Sequence, residues 1–208
     1  MLIGISGKKL SGKNEVADML SFLLFKGGTY KQFREAQDIR NTFLKVKDYK
    51  NAELTLPNIH SFASNLKKCV AACTGIDFHE LEDRNVKSSK ISWMDISYRK
   101  LLQEFGEGIR QTVDKNFWVN SLLSQYDNSQ NWIISDVRYI EEVNAVLDRN
   151  GCLIRVNRDT NFEDTHISEI GLDNFKYFNY VIDNNDKSLE DLFNECNYIV
   201  EYIINWKY

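Results

Sequence analysis

The sequence has few cysteines and almost no proline: four cysteines and one proline in 208 residues. Cys69 and Cys73 are about one helical turn apart, but neither a second cysteine pair nor a nearby histidine completes the spacing of a zinc site. We therefore expect buried free thiols, because free cysteine is among the most buried residue types. Free thiols also predict a reducing, cytoplasmic location.

Signals for secretion and membrane insertion are also missing. The N-terminal residues show no basic run followed by an apolar stretch and a small-residue cleavage site, so we expect no signal peptide. No apolar run approaches the roughly 20 residues that a membrane span needs. The sequence therefore predicts no membrane partner.

A third absence is an excess of positive charge. The 26 lysines and arginines are outnumbered by 30 aspartates and glutamates, and the net charge is −4. Proteins that bind nucleic acids gather basic residues into a patch, because phosphate contacts dominate their affinity. Here the basic residues are scattered, which favours a small anionic substrate over a nucleic acid polymer.

The sequence does contain apolar runs that alternate with helical patterns. Strands are predicted at "LIGIS", "PNIHSFA", "NWIISDVR", "CLIRVNR" and "YFNYVIDN". Helices are predicted at "NEVADMLSFLLF", "SNLKKCVAACTG", "DISYRKLLQEFGEGIR", "DKNFWVNSLLSQY", "YIEEVNAVLDRNG" and "SLEDLFNECNYIVEYIINW". This alternation predicts an α/β fold with a five-stranded parallel sheet flanked by helices.

Three residues are predicted to mark helix ends. Asp95 and Asp114 are suitable N-caps for the two helical patterns between residues 95 and 126. Gly75 is a suitable C-terminal cap for the helix that precedes it.

We expect a single domain over residues 1–208, because no repeat, low-complexity tract or linker divides the chain. Residues 26–55 are polar and are predicted to form either a helix near "QFREAQDIRNTF" or irregular strands. This segment is a candidate insertion, either at a homodimer contact or as a flap beside the substrate. Residues 158–172 are a candidate lid, since a polar loop after a strand can close over bound phosphates.

The first functional motif is "GISGKKLSGKNEV". Gly7, four further residues and then Gly12-Lys13 have the spacing of a phosphate-binding loop. Glycines allow backbone N–H groups to surround an anion, and the following helix directs the positive end of its dipole toward that anion. The loop lies between a predicted strand and a predicted helix, as this motif requires. Asn14 stands where a Ser or Thr hydroxyl normally meets Mg²⁺.

The second motif is "WIISDVR". An acid at the end of an apolar strand is where phosphate-loop enzymes hold Mg²⁺ or its water shell, so Asp136 is a candidate metal ligand or catalytic carboxylate. Arg138, two residues later, can bind an acceptor phosphate bidentately. The alternative for Asp136 is a cap on the following helix.

Two further segments are candidates for substrate binding. In "YRKLLQEFGEGIR", Arg99, Gln103 and either Gly106 or Glu107 share a helical face, although a solvated amphipathic helix is the alternative. Trp118 is predicted to lie in the core unless it stacks on a base. The polar segment "RVNRDTNFEDTHISEIGLD" holds His166, which has no visible catalytic partner.

These motifs in this order resemble the deoxynucleoside monophosphate kinases of bacteriophages. The resemblance rests on "ISGKKLSGKNEVADML", "SFASNLKK", "YRKLLQEFGEGIR", "IISDVRYIEEVNAV", the H-x-S-E element and "YVIDNNDKSLEDL", and it leaves out residues 26–55. It implies a three-layer P-loop NTPase fold like that of the nucleoside monophosphate kinases. It also implies transfer of the ATP γ-phosphoryl group to a deoxynucleoside monophosphate with Mg²⁺, in the host cytoplasm if the chain is phage-encoded.

The resemblance also implies roles for individual residues. The candidates for ATP binding are Gly7, Lys8, Ser11, Gly12, Lys13, Asn14 and Glu15. The candidates for binding the acceptor nucleotide are Arg99, Lys100, Gln103, Gly106, Glu107, Arg110, Trp118, Asp136, Arg138 and Glu142. Lys13, Asp136, Arg138 and Arg158 are the candidate catalytic residues, with Arg158 on the lid side, and Asn14 and Asp136 are the candidate metal ligands.

Two positions depart from the family pattern. The family has G-K-D-T where this chain has Gly12-Lys13-Asn14-Glu15, and G-T where it has Gly106-Glu107. The first departure places a neutral amide near Mg²⁺, and the second places a carboxylate where a hydroxyl would contact the substrate.

Two alternatives remain open at this point. The animal-type phosphomevalonate kinases have a similar phosphate loop and an element close to "SEIGLDNF". A nucleotide-binding protein without turnover is the second alternative, and Asn14 is its motivation. "RKLLQEFG", Trp118 and the valine of "SDVR" favour the nucleotide kinases.

Overall fold

The computed structural model describes residues 1–160 and 166–206. Its strands are β1 (Leu2–Ser6), β2 (Ile59–His60), β3 (Trp132–Val137), β4 (Cys152–Asn157) and β5 (Tyr180–Asp183). Its helices are α1 (Lys13–Phe25), α2 (Tyr30–Lys45), α3 (Tyr49–Thr55), α4 (Ser64–Thr74), α5 (Arg84–Ser88), α6 (Tyr98–Thr112), α7 (Phe117–Leu123), α8 (Ile140–Leu147), α9 (Ile167–Ile170) and α10 (Leu189–Trp206), with a 3-10 helix at Phe78–Glu82. None of the helices in this part of the chain combines the length and hydrophobicity that crossing a membrane requires.

The described residues divide into two compact units. The sheet unit comprises Met1–His60 and Asp127–Tyr208, and the helical unit comprises Ser61–Tyr126. The sheet unit contains all five strands. The helices α4 to α7 and the 3-10 helix belong to the helical unit.

The sheet has the strand order β2-β3-β1-β4-β5, and every pairing is parallel. Ile3 and Ile5 of β1 join the core formed with α1 and α10. Gly4 lies on the other face, where an added Cβ would be 3.3 Å from Val146 of α8. Successive residues of β1 are therefore buried on opposite faces, as expected for a strand covered by helices on both sides. The predicted α/β fold with a five-stranded parallel sheet is confirmed.

The prediction for β2 was only partly right. "PNIHSFA" was expected to form a buried strand, but the pairing covers Ile59–His60 alone and both residues are half-buried. The reason is its position at the edge of the sheet, where only β3 lies beside it. The other four predicted strands lie at their predicted positions.

The carboxyl ends of three neighbouring strands meet beside Ser6. Ser6 is opposite Val137 on one side and opposite Arg155 on the other. The register between β1 and β3 shifts between Gly4 and Ser6, because β3 has one residue more over the same stretch. Bulges of this kind redirect side chains, and they are frequent beside functional sites. This bulge contains Asp136, the acid of the "SDVR" motif.

Residues 26–55 form helices α2 and α3 rather than irregular strands. Thr29 and Gln32 form a capping box that fixes the start of α2. Phe33 is fully buried, with its ring centroid 5.7 Å from that of Phe22 in α1 and 5.5 Å from that of Phe193 in α10. Burying an aromatic ring of this size contributes roughly 1.5–3 kcal/mol, so α2 is part of the core of the sheet unit.

The helical unit has its own apolar core. Leu66, Val70 and Trp118 are buried there, and Leu101 and Phe105 of α6 pack against them. The start of α6 differs from the prediction, since Ser97 rather than Asp95 accepts the N–H of Lys100.

The predicted caps Asp95 and Asp114 are therefore wrong. Asp95 pairs with Lys90 at 2.5 Å, and α7 begins after Asn116, whose N–H donates to Asp114 at 2.8 Å. Each predicted acid lies two residues before the observed cap, a distance at which the aspartate favours a local turn. Gly75 ends α4 with φ +76°, as predicted.

The expectation that the cysteines are buried is correct for two of the four. All four are free thiols, and Cys152 and Cys196 are buried. Cys69 and Cys73 of α4 are exposed.

Candidate active site

The loop between β1 and α1 has a conformation that requires its glycines. Gly7 and Gly12 have φ values of +152° and +99°. A Cβ on Gly7 would lie 2.4 Å from the Val156 carbonyl, and one on Gly12 would lie 2.5 Å from the Asn184 amide nitrogen. That same amide donates to the Ser11 carbonyl at 2.8 Å, so the residue after β5 fixes the loop. Sequence reasoning gave Asn184 no role, although it lies in the "YVIDNNDKSLEDL" motif.

Helix α1 starts at this loop without a side-chain cap. Gly12 is the N-cap residue, and no side chain accepts the first N–H groups of the helix. These groups have no partner inside a helix, and the dipole gives this end a partial positive charge. The end of α1 at the loop is therefore suited to an anion.

Lys13 lies inside the loop and is buried. Its ammonium donates to the Lys8 carbonyl at 2.7 Å. Burial, and secondarily the nearby Arg138 cation, lower the pKa of Lys13 to about 8, although Glu169 and Asp136 oppose the shift. Lys13 is thus a cation poised to change its charge near neutral pH.

Asp136 near the end of β3 and Arg138 in the turn after it are both half-buried. The Arg138 guanidinium donates to the Ser168 carbonyl at 2.9 Å and forms an ion pair with Glu169. Burial acts to lower the pKa of Arg138, but the charges of Glu169, Asp136 and Glu142 outweigh it and raise that pKa. Arg138 therefore stays a fixed cation at the end of the sheet.

Glu142 stabilises this turn through hydrogen bonds to its backbone. Its side chain is buried, and one carboxylate oxygen accepts the backbone N–H groups of Arg138 at 2.7 Å and Tyr139 at 3.1 Å. The family pattern implies an acceptor-side role for Glu142. Its contacts give it the role of a helix cap that places Arg138.

We expect the Glu142→Ala variant to lose about 2–3 kcal/mol of stability, because two partly buried N–H groups lose their acceptor. In a protein of this size, that corresponds to a fall of roughly 5–10 °C in Tm. Thermal and urea unfolding would measure the loss. Glu141→Ala, at the neighbouring position of α8, should stay within about 0.5 kcal/mol of wild type. Equal losses in the two variants would show that the Glu142 contacts do not stabilise the turn.

A carboxylate within the predicted lid segment contacts the phosphate loop. Glu169 in α9 accepts the backbone N–H of Lys9 at 2.9 Å and also pairs with Arg138. Glu169 thus joins the loop to the turn after β3. The sequence placed it in a polar loop without assigning it this contact.

A second carboxylate makes an equivalent contact nearby. Asp173 lies 2.9 Å from the Lys8 ammonium and 3.1 Å from the Arg155 guanidinium. Arg155 in turn donates to the Ser6 hydroxyl at 3.1 Å. Arg155 belongs to the segment "RVNR" and Asp173 to the segment "GLD". The spacing in the sequence does not predict that these two side chains form an ion pair.

The remaining lid residues are less involved. Arg158 is exposed, and His166 uses Nδ1 in a 2.9 Å contact with the Ser168 hydroxyl. Of the lid segment predicted at 158–172, residues 161–165 lie outside the described residues.

The first turn of α1 carries Asn14, a candidate metal ligand, and Glu15, a candidate for ATP binding. Asn14 is exposed on the first turn of α1. Glu15 accepts the Gln37 amide at 3.0 Å and lies 3.8 Å from the Arg34 guanidinium, so it contacts α2. The Ser11 hydroxyl is buried and has no hydrogen-bond partner in the described residues. Within residues 1–160 and 166–206, no three His, Cys, Asp or Glu side chains form a metal-binding group.

In the helical unit, α6 separates the predicted substrate residues into two sets. Arg99, Gln103, Gly106 and Arg110 share one face at a period of 3.6 residues. Lys100 is exposed and pairs with Glu104 at 2.5 Å, whereas Glu107 is half-buried and accepts the Gln111 amide at 3.0 Å. Of the two residues proposed to continue the face, it is Gly106 that does so.

Packing explains the glycine on that face. A Cβ on Gly106 would be 2.9 Å from Leu66 and 3.8 Å from the Arg110 guanidinium. Trp118 is buried, and its indole N–H donates to the Gly106 carbonyl at 3.0 Å. Trp118 is therefore a core residue that supports α6. Within the described helical unit, neither Arg99 nor Gln103 has a polar partner.

In the sheet unit, the loop, Lys13 and Arg138 can together bind and orient phosphate groups. Loop N–H groups, Lys13 and Arg138 offer hydrogen bonds and positive charge at the carboxyl end of a parallel sheet, where ligands of such sheets bind. A family model described as deoxynucleotide monophosphate kinase matches residues 35–196. The match includes residues 35–55, which the sequence motifs had left outside the resemblance, and begins after the phosphate loop. No curated protein matches the chain.

The matched range covers more than three quarters of the 208 residues and includes α6, the turn after β3 and the acids Glu169 and Asp173. The chain therefore belongs to the deoxynucleotide monophosphate kinase family, and it is a kinase of deoxynucleotide monophosphates.

Proposed function

We propose that the protein transfers the γ-phosphoryl group of ATP to a deoxynucleoside monophosphate with the help of Mg²⁺. The family supplies the reaction class, and the glycine loop before an uncapped helix carries the assignment of the phosphate donor site. Because the family match starts at residue 35, the role of this loop rests on its own geometry.

The residues of the loop fit the phosphates of ATP. The first N–H groups of α1 have no side-chain acceptor, and the buried Ser11 hydroxyl has no partner among the described residues. We propose that Gly7, Lys8, Ser11, Gly12 and Lys13 hold the β- and γ-phosphates. Lys13 would leave the Lys8 carbonyl, which it now contacts, and donate to a phosphate oxygen.

The residues near the loop also fit Mg²⁺. This ion is usually held by one or two protein oxygens together with water and substrate phosphates, so it needs no dedicated cluster of ligands. We propose Asp136 and the Asn14 amide as the protein side of its shell, directly or through water. When bound, Mg²⁺ would neutralise part of the phosphate charge.

For the acceptor we propose two groups of residues. Arg138 would bind its phosphate, because its guanidinium stays charged at the end of the sheet and can hold a phosphate bidentately. On α6, Arg99, Gln103 and Arg110 would contact the acceptor nucleotide, and Arg158 would act from the lid side. Glu142 and Trp118 would support these groups from buried positions.

The chemistry then needs positioning and charge more than proton transfer. An oxygen of the acceptor phosphate forms a bond to the γ-phosphorus while the bond to the ADP oxygen breaks. Phosphate monoesters lose their second proton at about pH 6, so the attacking oxygen needs no base at neutral pH. His166 accordingly has no required catalytic role. Lys13 and Arg138 would stabilise the charge on the transferred group.

The lowered pKa of Lys13 predicts how ATP affinity depends on pH. Lys13 is protonated below about pH 8 in the protein without nucleotide and loses its charge above it. Phosphates favour the charged form, so binding becomes weaker as pH rises, by about tenfold between pH 7 and pH 9. Isothermal titration calorimetry with ATP and no acceptor would measure this. The Lys13→Met variant should show a flat profile, and a wild-type profile just as flat would contradict the assignment.

The function itself is tested by a coupled ADP-release assay with ATP, Mg²⁺ and each of the four common deoxynucleoside monophosphates. We expect turnover with at least one of them. Phosphomevalonate serves as the comparison acceptor, and turnover with it alone would replace the proposal. ATP binding without turnover on any acceptor would mean that the protein binds nucleotides without catalysis.

A further inference from the structure

Two carboxylates of one short segment neutralise cations of the phosphate site. Glu169 bridges the Lys9 N–H of the loop and the Arg138 guanidinium, and Asp173 bridges Lys8 and Arg155. The two acids are four residues apart at α9 and the turn after it. Each of them therefore contacts the loop and also an arginine at a strand end.

The contacts of Glu169 are those that a phosphate oxygen would make. A backbone N–H of a glycine loop and an arginine guanidinium are typical donors to bound phosphate. The Glu169 side chain is only 10% exposed, so its negative charge is held inside the site rather than in solvent. Lys13 responds to that charge, as the effect of Glu169 on its pKa shows.

We propose that Glu169 and Asp173 are internal counter-ions, which occupy the phosphate-binding groups in the protein without nucleotide and are exchanged for phosphates when a nucleotide binds. The proposal rests on the proposed function of the loop, because it assumes that the groups these acids contact bind phosphates. The exchanged contacts are the Lys9 N–H and Arg138 for Glu169, and Lys8 and Arg155 for Asp173.

The exchange selects for ligands with several charged phosphates. A single carboxylate brings one negative charge to two donors, whereas a triphosphate brings several charges and can also bind Lys13 and the first N–H groups of α1. A small monoanion offers no more than the carboxylate that it would displace. Phosphate chains therefore compete successfully where isolated anions do not.

Inorganic tripolyphosphate and ATP, each titrated calorimetrically without acceptor, test the exchange. In the Glu169→Gln variant the shape is kept and the competing charge is lost. We expect the Kd of both ligands to fall about fivefold. The free energy of an exposed or half-buried ion pair corresponds to at most about that factor in a dissociation constant. The same variant should have a lower Tm without ligand, because the ion pair with Arg138 is lost. Tighter binding with lower stability is the combination that a merely structural residue would not give.

Glu190→Gln is the matched control, because this exposed glutamate at the start of α10 changes the net charge by the same amount. It should leave both Kd values unchanged. Should Glu169→Gln fail to fold, Asp173→Asn tests the second pair, with the same direction expected. If wild type binds ATP and tripolyphosphate but the Glu169→Gln or Asp173→Asn variant binds them equally or more weakly, the counter-ion proposal is wrong while the proposed function stands. Absence of ATP and tripolyphosphate binding by both proteins overturns it together with the proposed function.

Discussion

The Lys13→Met variant is expected to lower kcat/KM for ATP about a thousandfold. Its ammonium is the cation that lies inside the loop, buried and held against the Lys8 carbonyl. Methionine keeps most of the volume but removes the charge that would stabilise the transferred phosphoryl group. Because the apolar part of the side chain still fills the site, the variant should fold and unfold at a temperature close to that of wild type.

The control for this variant is the same substitution at the other end of the same helix. Lys26 is exposed at the C-terminus of α1, and Lys26→Met should retain wild-type kinetics. A Lys13→Met enzyme with more than about a tenth of the wild-type kcat/KM would show that the loop is not the catalytic phosphate site. Circular dichroism and thermal unfolding of both variants would separate loss of activity from loss of fold.

The fold was predictable because each central strand is a short apolar run that ends at polar or glycine residues. "LIGIS" is buried on both faces, and this double burial produces its continuous hydrophobicity. The edge strand β2 was harder, since pairing on one side needs only two residues and half-burial. Helix α2 was ambiguous because it buries few residues, with Phe33 as its main anchor.

The site was predictable only where its residues follow one another in sequence. Gly7, Gly12 and Lys13 follow one another around one loop, and Asp136 and Arg138 lie two residues apart at the end of β3, so spacing alone grouped them as candidates. Glu169 could not be found in this way, because its contacts with Lys9 and Arg138 span 160 and 31 residues. Contacts of this range depend on the strand order, which the sequence pattern does not determine.

The roles of buried members of the site were equally hidden. Glu142 and Trp118 match the family pattern, yet one caps a turn and the other supports α6 through the Gly106 carbonyl. A motif records that a residue type is present, but not whether its side chain points to the substrate or to the backbone. Burial and hydrogen-bond partners make that distinction.

The Asp136→Asn variant is expected to lower kcat about a hundredfold and to raise the Mg²⁺ concentration needed for half-maximal rate. Asp136 lies in the bulge at the end of β3, one residue before Val137, which pairs with the last residue of β1. This position places a half-buried carboxylate next to the start of the phosphate loop. An amide of the same shape keeps the packing and removes the negative charge that would attract the metal.

Rates measured over a series of Mg²⁺ concentrations separate a metal role from a structural one. Asp148→Asn, at the exposed end of α8, is the control and should leave both quantities unchanged. Asn14→Asp is the reciprocal variant, because it adds a carboxylate at the other proposed metal position and should lower the Mg²⁺ requirement. If Asp136→Asn slows the reaction without changing that requirement, Asp136 acts on the fold or the acceptor and not on the metal. If Asn14→Asp alone has no effect, the assignment of Asn14 is wrong while that of Asp136 stands.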